Sequence, residues 1–534
     1  MTHTEMKNAM HPLNVDGASL ATSVSAPYGD PPYSTVIIRT PYGIPSKSEQ
    51  VRQWTRRGYA VVVQDVRGRF ASSGRWEPFA NETSDGGALI DWVQRQSWSD
   101  ANVLVYGSSY SAFCALSAAT ARPSAVVAVI VTAPIVSKNS IARESTGAPR
   151  FWAPVHWWSQ HCSSTSGVNG MLPAHPEDLK MLRTLPAGRV GELVGGQSLP
   201  IDAWRIGPSL HSPNFETYQP ISPLTNAGRL PPLLILCGVR DPLRDESIRL
   251  ARTWTSSRCD LVLGVWSCDH NKDGSRTQIE PPLPPRNQRR TIGEFVSAWI
   301  RDVRINPSSH QRRTIVALEG ETDWISIEEE PEKATTLPLH PVRRRFLAQP
   351  SNPHPSVLDS ASLSPTTRRL DYAIFRSSPC TSEMDIVGTP RLSLEGLTTR
   401  NDPYSALDGP ADWAFRLCVT RPANSSTNAA PRQISNTLAR TSATGIHELS
   451  MPYVARRLLK GDYLEVHISA HQFPRYARGP QDGSDPLSAE TLRAAHRAIG
   501  GGVELDFPQP ISHRTRDPIR AVLSGPRILP DRDR

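Results

Sequence analysis

Residues 107–111, with the sequence GSSYS, combine residue types and a spacing that suit nucleophilic catalysis. They follow the short apolar run 103–106 and precede an alanine-rich stretch with high helical propensity. In a sharp strand-to-helix turn, small neighbours allow the central serine of Gly-x-Ser-x-Gly to project its hydroxyl above the sheet. This pattern predicts that Ser109 is a nucleophile. The alternative is that Ser108 only caps the helix, and Ser111 stands where the pattern usually has a second glycine.

A serine nucleophile needs a base that takes its proton and a carboxylate that orients the base, and the chain offers both. Asp241 follows the apolar run 233–237, and His270 follows the apolar run 261–265. Each has an ordinary explanation, because an aspartate often starts a turn and a lone histidine usually lies on the surface. Their order along the chain, serine, aspartate and histidine, each beyond a predicted strand, favours a catalytic triad.

The elements that must position these residues are visible as a regular alternation in the first quarter of the chain. The strand-like runs are residues 35–39, 60–64, 103–106 and 126–131, and the helical stretches between them are residues 49–57, 85–96 and 111–121. Alternating strands and helices predict right-handed crossovers and a mostly parallel sheet. The fold class is therefore α/β, and we expect an α/β-hydrolase core over residues 1–136 and 226–305, closed by an amphipathic helix.

Two further regions interrupt and follow this core. Residues 137–225 are polar, irregular and partly helical, which predicts an insertion into the core. Residues 306–534 contain short alternating strands separated by proline, serine and asparagine, which predicts a β-sandwich domain of the jelly-roll type. Within it, residues 349–367 and 423–436 are polar enough to be mobile loops.

Composition narrows the classes of partner. The 534 residues carry a formal net charge of +8, but the basic residues are dispersed, so we expect no nucleic-acid partner. The N-terminus lacks the apolar core of a secretory signal, and no apolar run is long enough to cross a bilayer, so we expect a cytoplasmic protein without a membrane partner. The seven cysteines include no CxxC pair and do not resemble a disulfide framework.

The segment 64–112 resembles the cocaine esterase and X-Pro dipeptidyl-peptidase family of serine hydrolases (CocE/NonD type). In that family an Arg-Gly-Arg segment and a Trp-Ser segment lead into Gly-x-Ser-Tyr, as they do here. Residues 37–43 (IIRTPYG) and 468–480 (ISAHQFPRYARGP) also resemble family segments, whereas residues 238–242 (GVRDP) match the family's Gly-Trp-x-Asp loop only in part. The resemblance covers most of the chain and implies a hydrolase core, a helical cap at residues 137–225 and a C-terminal jelly roll.

This resemblance implies a role for each candidate site residue. Ser109 would be the nucleophile, Asp241 the orienting acid and His270 the base. The hydroxyl of Tyr42 and the backbone N–H of Tyr110 would form the oxyanion hole. The loop before His270 is two residues longer than the family pattern, and a displaced base loses rate.

Four aromatic residues of the expected cap are candidates for a substrate pocket. If the cap covers the serine, Phe151, Trp152, Trp157 and Trp158 would form an apolar acyl or aryl pocket. The alternative is that these rings pack the cap's own small core.

The loop that carries His270 also matches a calcium-binding pattern. Asp269, Asn271, Asp273, Gly274 and Glu280 satisfy the twelve-residue EF-hand spacing. EF-hand loops lie between helices, and this loop follows a predicted strand, so an Asp-Gly turn explains it. We expect no metal and no organic cofactor.

The sequence thus predicts a serine hydrolase that cleaves an ester or amide bond of a small molecule through an acyl-enzyme. Two alternatives stay open: a biosynthetic acyltransferase with the same triad, and a catalytically inactive binding or scaffold homologue. The substrate's identity and the choice among ester, amide and aminoacyl-proline cleavage are not fixed by these residues. A homo-oligomer is compatible with the sequence.

Overall fold

The structure, a computed structural model, contains an α/β unit followed by a β-rich unit. It describes residues 9–137, 143–144, 146, 148–161, 180–190, 193, 230–256, 258–265, 286–306, 311–319, 324–327, 334–356, 369, 371–397, 410–421 and 431–508.

A ten-stranded sheet forms the centre of the α/β unit. Its strands are β1 (Ala9–Val15), β2 (Ala18–Ser25), β3 (Tyr33–Thr40), β4 (Ala60–Asp65), β5 (Ser99–Ser109), β6 (Val126–Pro134), β7 (Leu233–Gly238), β8 (Arg258–Gly264), β9 (Gln311–Ala317) and β10 (Trp324–Ile327). Their order across the sheet is β1-β2-β4-β3-β5-β6-β7-β8-β9-β10. Pairing is parallel from β4 through β9 and antiparallel at both ends, so the carboxyl ends of β5, β7 and β8 share one edge.

Helices cover both faces of this sheet. The helices of the α/β unit, including α4 of the cap region, are α1 (Ser48–Thr55), α2 (Glu82–Gln94), α3 (Tyr110–Ala121), α4 (Trp152–His161), α5 (Arg244–Thr253) and α6 (Arg286–Ile305), with 3-10 turns at Ile44–Lys47 and Ala187–Arg189. One face of the sheet packs against α2 and α3, with Leu89 and Leu116 fully buried. The other face packs against α1 and α6 through Trp54, Phe295 and Trp299. The closing amphipathic helix expected from the sequence is α6.

The alternation in the sequence located the inner strands but missed the edges of the sheet. Strands β1 and β2 were not predicted, because this hairpin contains few of the apolar residues that mark a buried strand. The expected C-terminal domain, residues 306–534, includes β9, and this part of the prediction is wrong, because β9 pairs in parallel with β8. The sheet therefore extends to Ile327, beyond the boundary expected at residue 305. Alternation identifies a strand, but it does not identify the sheet that the strand joins.

The β-rich unit follows β10. Its strands are β11 (Ala334–Arg343), β12 (Arg345–Ala348), β13 (Tyr372–Arg376), β14 (Met384–Gly388), β15 (Arg391–Leu397), β16 (Pro410–Thr420), β17 (Arg432–Ser442), β18 (Gly445–Ser450), β19 (Val454–Leu458), β20 (Tyr463–Ser469), β21 (Ala495–Ile499) and β22 (Val503–Pro508). Ten of them form one sheet, and β14 pairs with β19. Its core includes Trp413, Phe415 and Phe375. The jelly-roll connection of this C-terminal β domain stays a prediction.

Two loops were expected in the C-terminal domain, and the structure shortens one of them and describes only part of the other. The expected loop 423–436 ends earlier, because β17 begins at Arg432 and its backbone pairs with β16. Residues 349–356 of the expected loop 349–367 are described as irregular chain, whereas 357–368 lie outside the described residues.

The cap region is described only in part. Helix α4 and residues 180–190 lie between β6 and β7, and most of residues 162–229 fall outside the described part of the chain. Leu182 and Val190 are buried against the core of the α/β unit. In the described ranges, no helix combines the length and apolar character needed to cross a membrane.

Candidate active site

The turn between β5 and α3 holds Ser109 in a strained conformation. Its φ is 56° and its ψ is −123°, values that a residue with a Cβ seldom adopts. Only 7% of its surface is exposed. Ser108 instead continues the strand, where it pairs with Thr132. The two adjacent serines therefore differ in backbone geometry, and Ser109 alone occupies the turn.

Small residues make this turn sterically feasible. A Cβ on Gly107 would lie 2.0 Å from the backbone oxygen of Ser111, so only glycine fits at that position. Ser111 and Ala112 are buried at the start of α3. Gly86 of α2 provides a second close approach, because a Cβ there would lie 2.8 Å from the Cβ of Ala118. Small, buried side chains thus take the place of the glycine missing after Tyr110, and Gly86 allows α2 and α3 to pack closely further along the helix.

Tyr42 lies beside the serine. Its hydroxyl donates to the Ser109 Oγ over a donor–acceptor distance of 3.5 Å. Burial raises the pKa of the Tyr42 phenol, and hydrogen bonding to Ser109, Trp157 and the Tyr110 backbone opposes that rise only in part. The phenol therefore keeps its proton at neutral pH and can donate it in a hydrogen bond.

The peptide before Tyr42 is held by a buried arginine. The Nε atom of Arg69 donates to the Pro41 carbonyl at 3.0 Å, and the Arg69 side chain is fully buried. The Nζ atom of Lys47 lies 4.9 Å from the centre of the Tyr42 ring. Tyr42 is thus fixed both through its backbone and through its ring.

Tyr110, directly after the serine, is anchored by its side chain. Its hydroxyl donates to the Oε1 of Glu82 at 2.6 Å and accepts the backbone N–H of Phe79 at 2.7 Å. Burial and the negative charge of Glu82 raise the pKa of the Tyr110 phenol well above its ordinary value. Burial also raises the pKa of the Glu82 carboxyl, although Arg39 and Tyr110 oppose that rise. The backbone N–H expected to face an oxyanion therefore belongs to a residue with little freedom.

Asp241 is buried in the turn beyond β7, with 1% of its surface exposed. Its Oδ1 accepts the backbone N–H of Leu243 at 2.8 Å. Strand β6 alone separates β7 from β5 in the sheet, and strands in a sheet lie about 4.8 Å apart. Ser109 and Asp241 therefore project from the same edge of the sheet, with the carboxyl end of β8 next to Asp241.

His270 falls outside the described residues, as do the calcium-pattern residues around it. The described part of strand β8 ends at Gly264, next to the carboxyl end of β7. The structure thus leaves the role of His270 as a prediction.

The four aromatic candidates have different surroundings. Trp157 stacks on Tyr110, with ring centres 6.0 Å apart and planes 18° apart. Phe151 stacks on Phe473 of the C-terminal β domain, and half-buried Trp152 packs against the core. The Trp158 side chain lies outside the described residues. The structure brings Trp157 to the candidate site and directs Phe151 towards the interface between the two units.

Sequence reasoning missed several residues that surround Tyr110. The side chains that contact it are those of Trp76, Phe79, Glu82 and Phe113. Phe79 has a positive φ of 70°, so its backbone is strained beside the site. No local pattern marks these residues, because they meet Tyr110 only through the packing of α2 and its preceding loop against α3.

Comparisons with known proteins agree with this architecture. Residues 16–267 match the family model of X-Pro dipeptidyl-peptidase (S15 family). The cocaine esterase of Rhodococcus sp. (strain MB1 Bresler) is 29% identical over 282 residues, which cover 49% of this chain and 48% of the esterase. The chain thus matches about half the length of this curated relative.

Two solved structures share the fold over nearly the whole chain. An α-amino acid ester hydrolase superimposes with a TM-score of 0.77 at 18% identity, covering 95% of this chain and 97% of the other. An aminopeptidase from the marine sediment archaeon Thaumarchaeota archaeon has a TM-score of 0.75 at 18% identity, covering 95% and 98%. These two similarities confirm the α/β-hydrolase fold, and the match to the S15 family model agrees with the resemblance expected from the sequence.

Proposed function

From the match of its α/β unit to the S15 family of X-Pro dipeptidyl-peptidases and to cocaine esterase, we propose that this chain is a serine hydrolase that cleaves an ester or amide bond of a small molecule. The observation that carries the proposal is the strained turn at Ser109, whose hydroxyl lies 3.5 Å from that of Tyr42. A strained, small-residue turn at the carboxyl end of a central parallel strand is the geometry that presents a serine hydroxyl above the sheet.

In the proposed reaction, His270 takes the proton of the Ser109 hydroxyl, and the Ser109 Oγ attacks the substrate carbonyl. Asp241 orients the imidazole and stabilises its protonated form. The Tyr42 hydroxyl and the Tyr110 N–H donate to the oxygen on which negative charge develops. The imidazolium returns its proton to the leaving group, and water then releases the acid from the acyl-enzyme.

The oxyanion hole fits the electrostatics of the described residues. A donor stabilises an oxyanion only while it keeps its proton, and burial raises the pKa of the Tyr42 phenol. Preorganised donors are most effective in a site shielded from water, since they need not reorganise as charge develops. Tyr42 is half-buried, and the hydrogen bond from Arg69 to Pro41 holds its backbone, so its hydroxyl is a preorganised donor.

The position of Trp157 favours a substrate whose acyl group is apolar. Its indole hydrogen-bonds to the Tyr42 hydroxyl, which lies 3.5 Å from the Ser109 Oγ, and its ring stacks on Tyr110. A flat aromatic wall next to the reacting serine favours an aryl or branched alkyl acyl group. Glu82, a buried carboxylate near this point, accepts the Tyr110 hydroxyl and so anchors the ring on which Trp157 stacks.

Turnover of a substrate panel tests this proposal. Purified protein is assayed with p-nitrophenyl acyl esters, matching anilides and aminoacyl-proline substrates, in parallel with Ser109→Ala. We expect ester turnover by the wild-type chain and a loss on the order of 10⁴-fold in the variant. Equal turnover by the two proteins would remove Ser109 from the mechanism.

Product analysis with an added alcohol or amine separates hydrolysis from acyl transfer. Release of free acid at an undiminished rate supports the hydrolase, and acyl ester or amide product supports a transferase. The cytoplasmic location inferred from the sequence stays a prediction.

A further inference from the structure

The turn that carries Asp241 is linked on both sides to the C-terminal β domain. Within the turn, Asp241 donates its backbone N–H to the Gly238 carbonyl at 3.0 Å, and its own carbonyl accepts the N–H of Arg244 at 3.1 Å. These bonds fix the turn's shape but do not fix its position relative to Ser109. The neighbours on either side, Arg240 and Pro242, make the longer-range contacts.

Arg240 connects the turn to β19 through a buried carboxylate. Its Nε donates to the Oε1 of Glu319 at 2.5 Å, and the Oε2 of Glu319 accepts from the Nη1 of Arg456 at 3.0 Å. The backbone N–H of Glu319 also donates to the Ala455 carbonyl at 2.9 Å. Each of the three charged residues is buried. The residue before Asp241 is therefore tied through one carboxylate to the C-terminal β domain.

Pro242 is connected to the same domain by a different route. Its carbonyl accepts from the Nη2 of Arg150 at 3.0 Å, and the same nitrogen donates to the Oε2 of Glu144 at 2.9 Å. The Oε1 of Glu144 accepts from the hydroxyl of Tyr476 at 2.8 Å and from Arg475 at 3.4 Å. Tyr476 and Arg475 follow β20, so this second connection also ends in the C-terminal β domain.

The charge state of Glu144 makes the second connection persistent. Burial alone would raise the pKa of this carboxyl, but the positive charges of Arg150 and Arg475 outweigh it and hold the pKa at about 2. Glu144 is therefore ionised at every pH at which the protein would work. A third bond, from the backbone N–H of Tyr453 to the Oδ1 of Asp245 at 3.1 Å, holds the start of α5 in the same way.

Stability alone does not explain this arrangement. A buried ion pair often contributes no more to stability than apolar residues of equal volume would. Its particular property is that it fixes a geometry, because a charge removed from its partner in a low-dielectric interior is strongly disfavoured. Here two such carboxylates flank one residue, Asp241, whose orientation a triad requires to within a fraction of an ångström.

We propose that the C-terminal β domain acts as a clamp on the acid turn, with Glu319 and Glu144 as the positioning residues that hold Asp241 in register with the base. The inference rests on the proposed function, since it assigns these carboxylates to that same site. The domain would then be required for the rate of the chemical step and not only for folding.

Glu319→Gln and Glu144→Gln test the clamp, with Asp385→Asn as the matched control. Asp385 is equally buried and pairs with Arg457, the neighbour of Arg456 on β19, at 2.8 Å. The readouts are kcat and KM for p-nitrophenyl butyrate, the pH profile of kcat/KM, and thermal unfolding. Arg240→Lys is a milder second variant, which keeps the charge but cannot reproduce the guanidinium geometry.

We expect Glu319→Gln and Glu144→Gln to lower kcat on the order of 10- to 100-fold, with KM changed less than about threefold. The acidic limb of the pH profile should move to lower pH, because a misaligned Asp241 stabilises the imidazolium less and so lowers the pKa of the base. Arg240→Lys should give a smaller loss in the same direction. Asp385→Asn should lower the unfolding temperature comparably while leaving kcat and the pH profile unchanged.

Two outcomes would overturn the clamp, and they are distinguishable. If the variants lose no more kcat than Asp385→Asn, with an unmoved acidic limb, the carboxylates are structural only. If the wild-type chain shows no Ser109-dependent turnover and no labelling by a fluorophosphonate, the proposed function fails and the clamp fails with it.

Discussion

The hydroxyl of Tyr110 donates a 2.6 Å hydrogen bond to the buried carboxyl of Glu82, so the residue after the proposed nucleophile is anchored to the first turn of α2. The same hydroxyl accepts the backbone N–H of Phe79. The Tyr110 side chain thus points away from the reacting atoms while its backbone N–H faces them in the proposed mechanism. In the proposed mechanism, helix α2 would thereby hold one donor of the oxyanion hole in place without touching the substrate.

Replacing Glu82 tests this indirect contribution. Glu82→Gln keeps an oxygen acceptor for the Tyr110 hydroxyl, so we expect kcat for an activated ester within about threefold of wild type. Glu82→Ala leaves the hydroxyl without that acceptor, and we expect kcat to fall roughly tenfold with little change in KM. Steady-state kinetics on the two variants check this. If Glu82→Gln is as slow as Glu82→Ala, the negative charge of Glu82, and not its hydrogen bond to Tyr110, supports kcat.

Removing the phenol of Tyr42 should affect the transition state more than substrate binding. In Tyr42→Phe the ring remains, but the hydroxyl that lies 3.5 Å from the Ser109 Oγ is lost. Loss of one oxyanion donor lowers kcat about 10²- to 10³-fold in comparable sites. We expect that loss, with KM nearly unchanged, for the ester substrates. A normal kcat in this variant would assign oxyanion binding to other groups.

Gly107 should be irreplaceable for steric reasons. A Cβ there would lie 2.0 Å from the Ser111 backbone oxygen, and backbone atoms cannot move aside without opening the turn. We expect Gly107→Ala to lower the free energy of unfolding by about 3 kcal/mol and to abolish turnover. Gly293→Ala is the control, because the nearest atom to its added Cβ is Arg57 Nη2 at 3.4 Å. Urea unfolding should find the control as stable as wild type, and equal stability of both variants would contradict the turn geometry.

The free energy of unfolding should decrease as the pH is lowered below about 6, because two buried histidines take up protons only in the unfolded chain. Burial, with the charge of Arg416, lowers the pKa of His354 to about 2, and burial, with the charge of Arg478, lowers that of His471 to about 3. The unfolded chain binds protons on these residues near pH 6.5, so acid favours unfolding from there downward. Burial raises the pKa of Asp65 to about 6, which opposes the trend between about pH 6 and 4.

The net expectation is a loss of about 1 to 2 kcal/mol of unfolding free energy per pH unit between pH 6 and 4. His471→Gln removes one of the titrating groups, so its stability should depend less steeply on pH than that of wild type. Urea midpoints at pH 7, 6 and 5 measure both proteins. Parallel curves for the two would show that His471 does not titrate on unfolding.

The sequence predicted the candidate site residues best where they directly follow a recognisable strand. Ser109 and Asp241 were identified because a parallel sheet brings the carboxyl ends of its strands to one edge, and the strands could be recognised from short apolar runs. The structure places both residues at that edge, as expected. Their roles, and that of His270 beyond β8, remain predictions.

Contacts between distant segments could not be read from local patterns. Glu82 resembles any acidic residue in the first turn of a helix, and its bond to Tyr110 depends on how α2 packs against α3. Glu319 and Glu144 likewise resemble ordinary charged residues between elements. Their burial between arginines arises from the way the two units meet, and neither spacing nor composition encodes that in a recognisable form.

The identity of the serine that reacts with a fluorophosphonate tests the account most directly. The protein is labelled, digested and analysed by peptide mass spectrometry, with Ser108→Ala and Ser109→Ala measured in parallel, since the two serines are adjacent but only Ser109 has the strained backbone. We predict a single adduct on Ser109, retained in Ser108→Ala and absent in Ser109→Ala. An adduct on Ser108, or labelling that persists in Ser109→Ala, would contradict it.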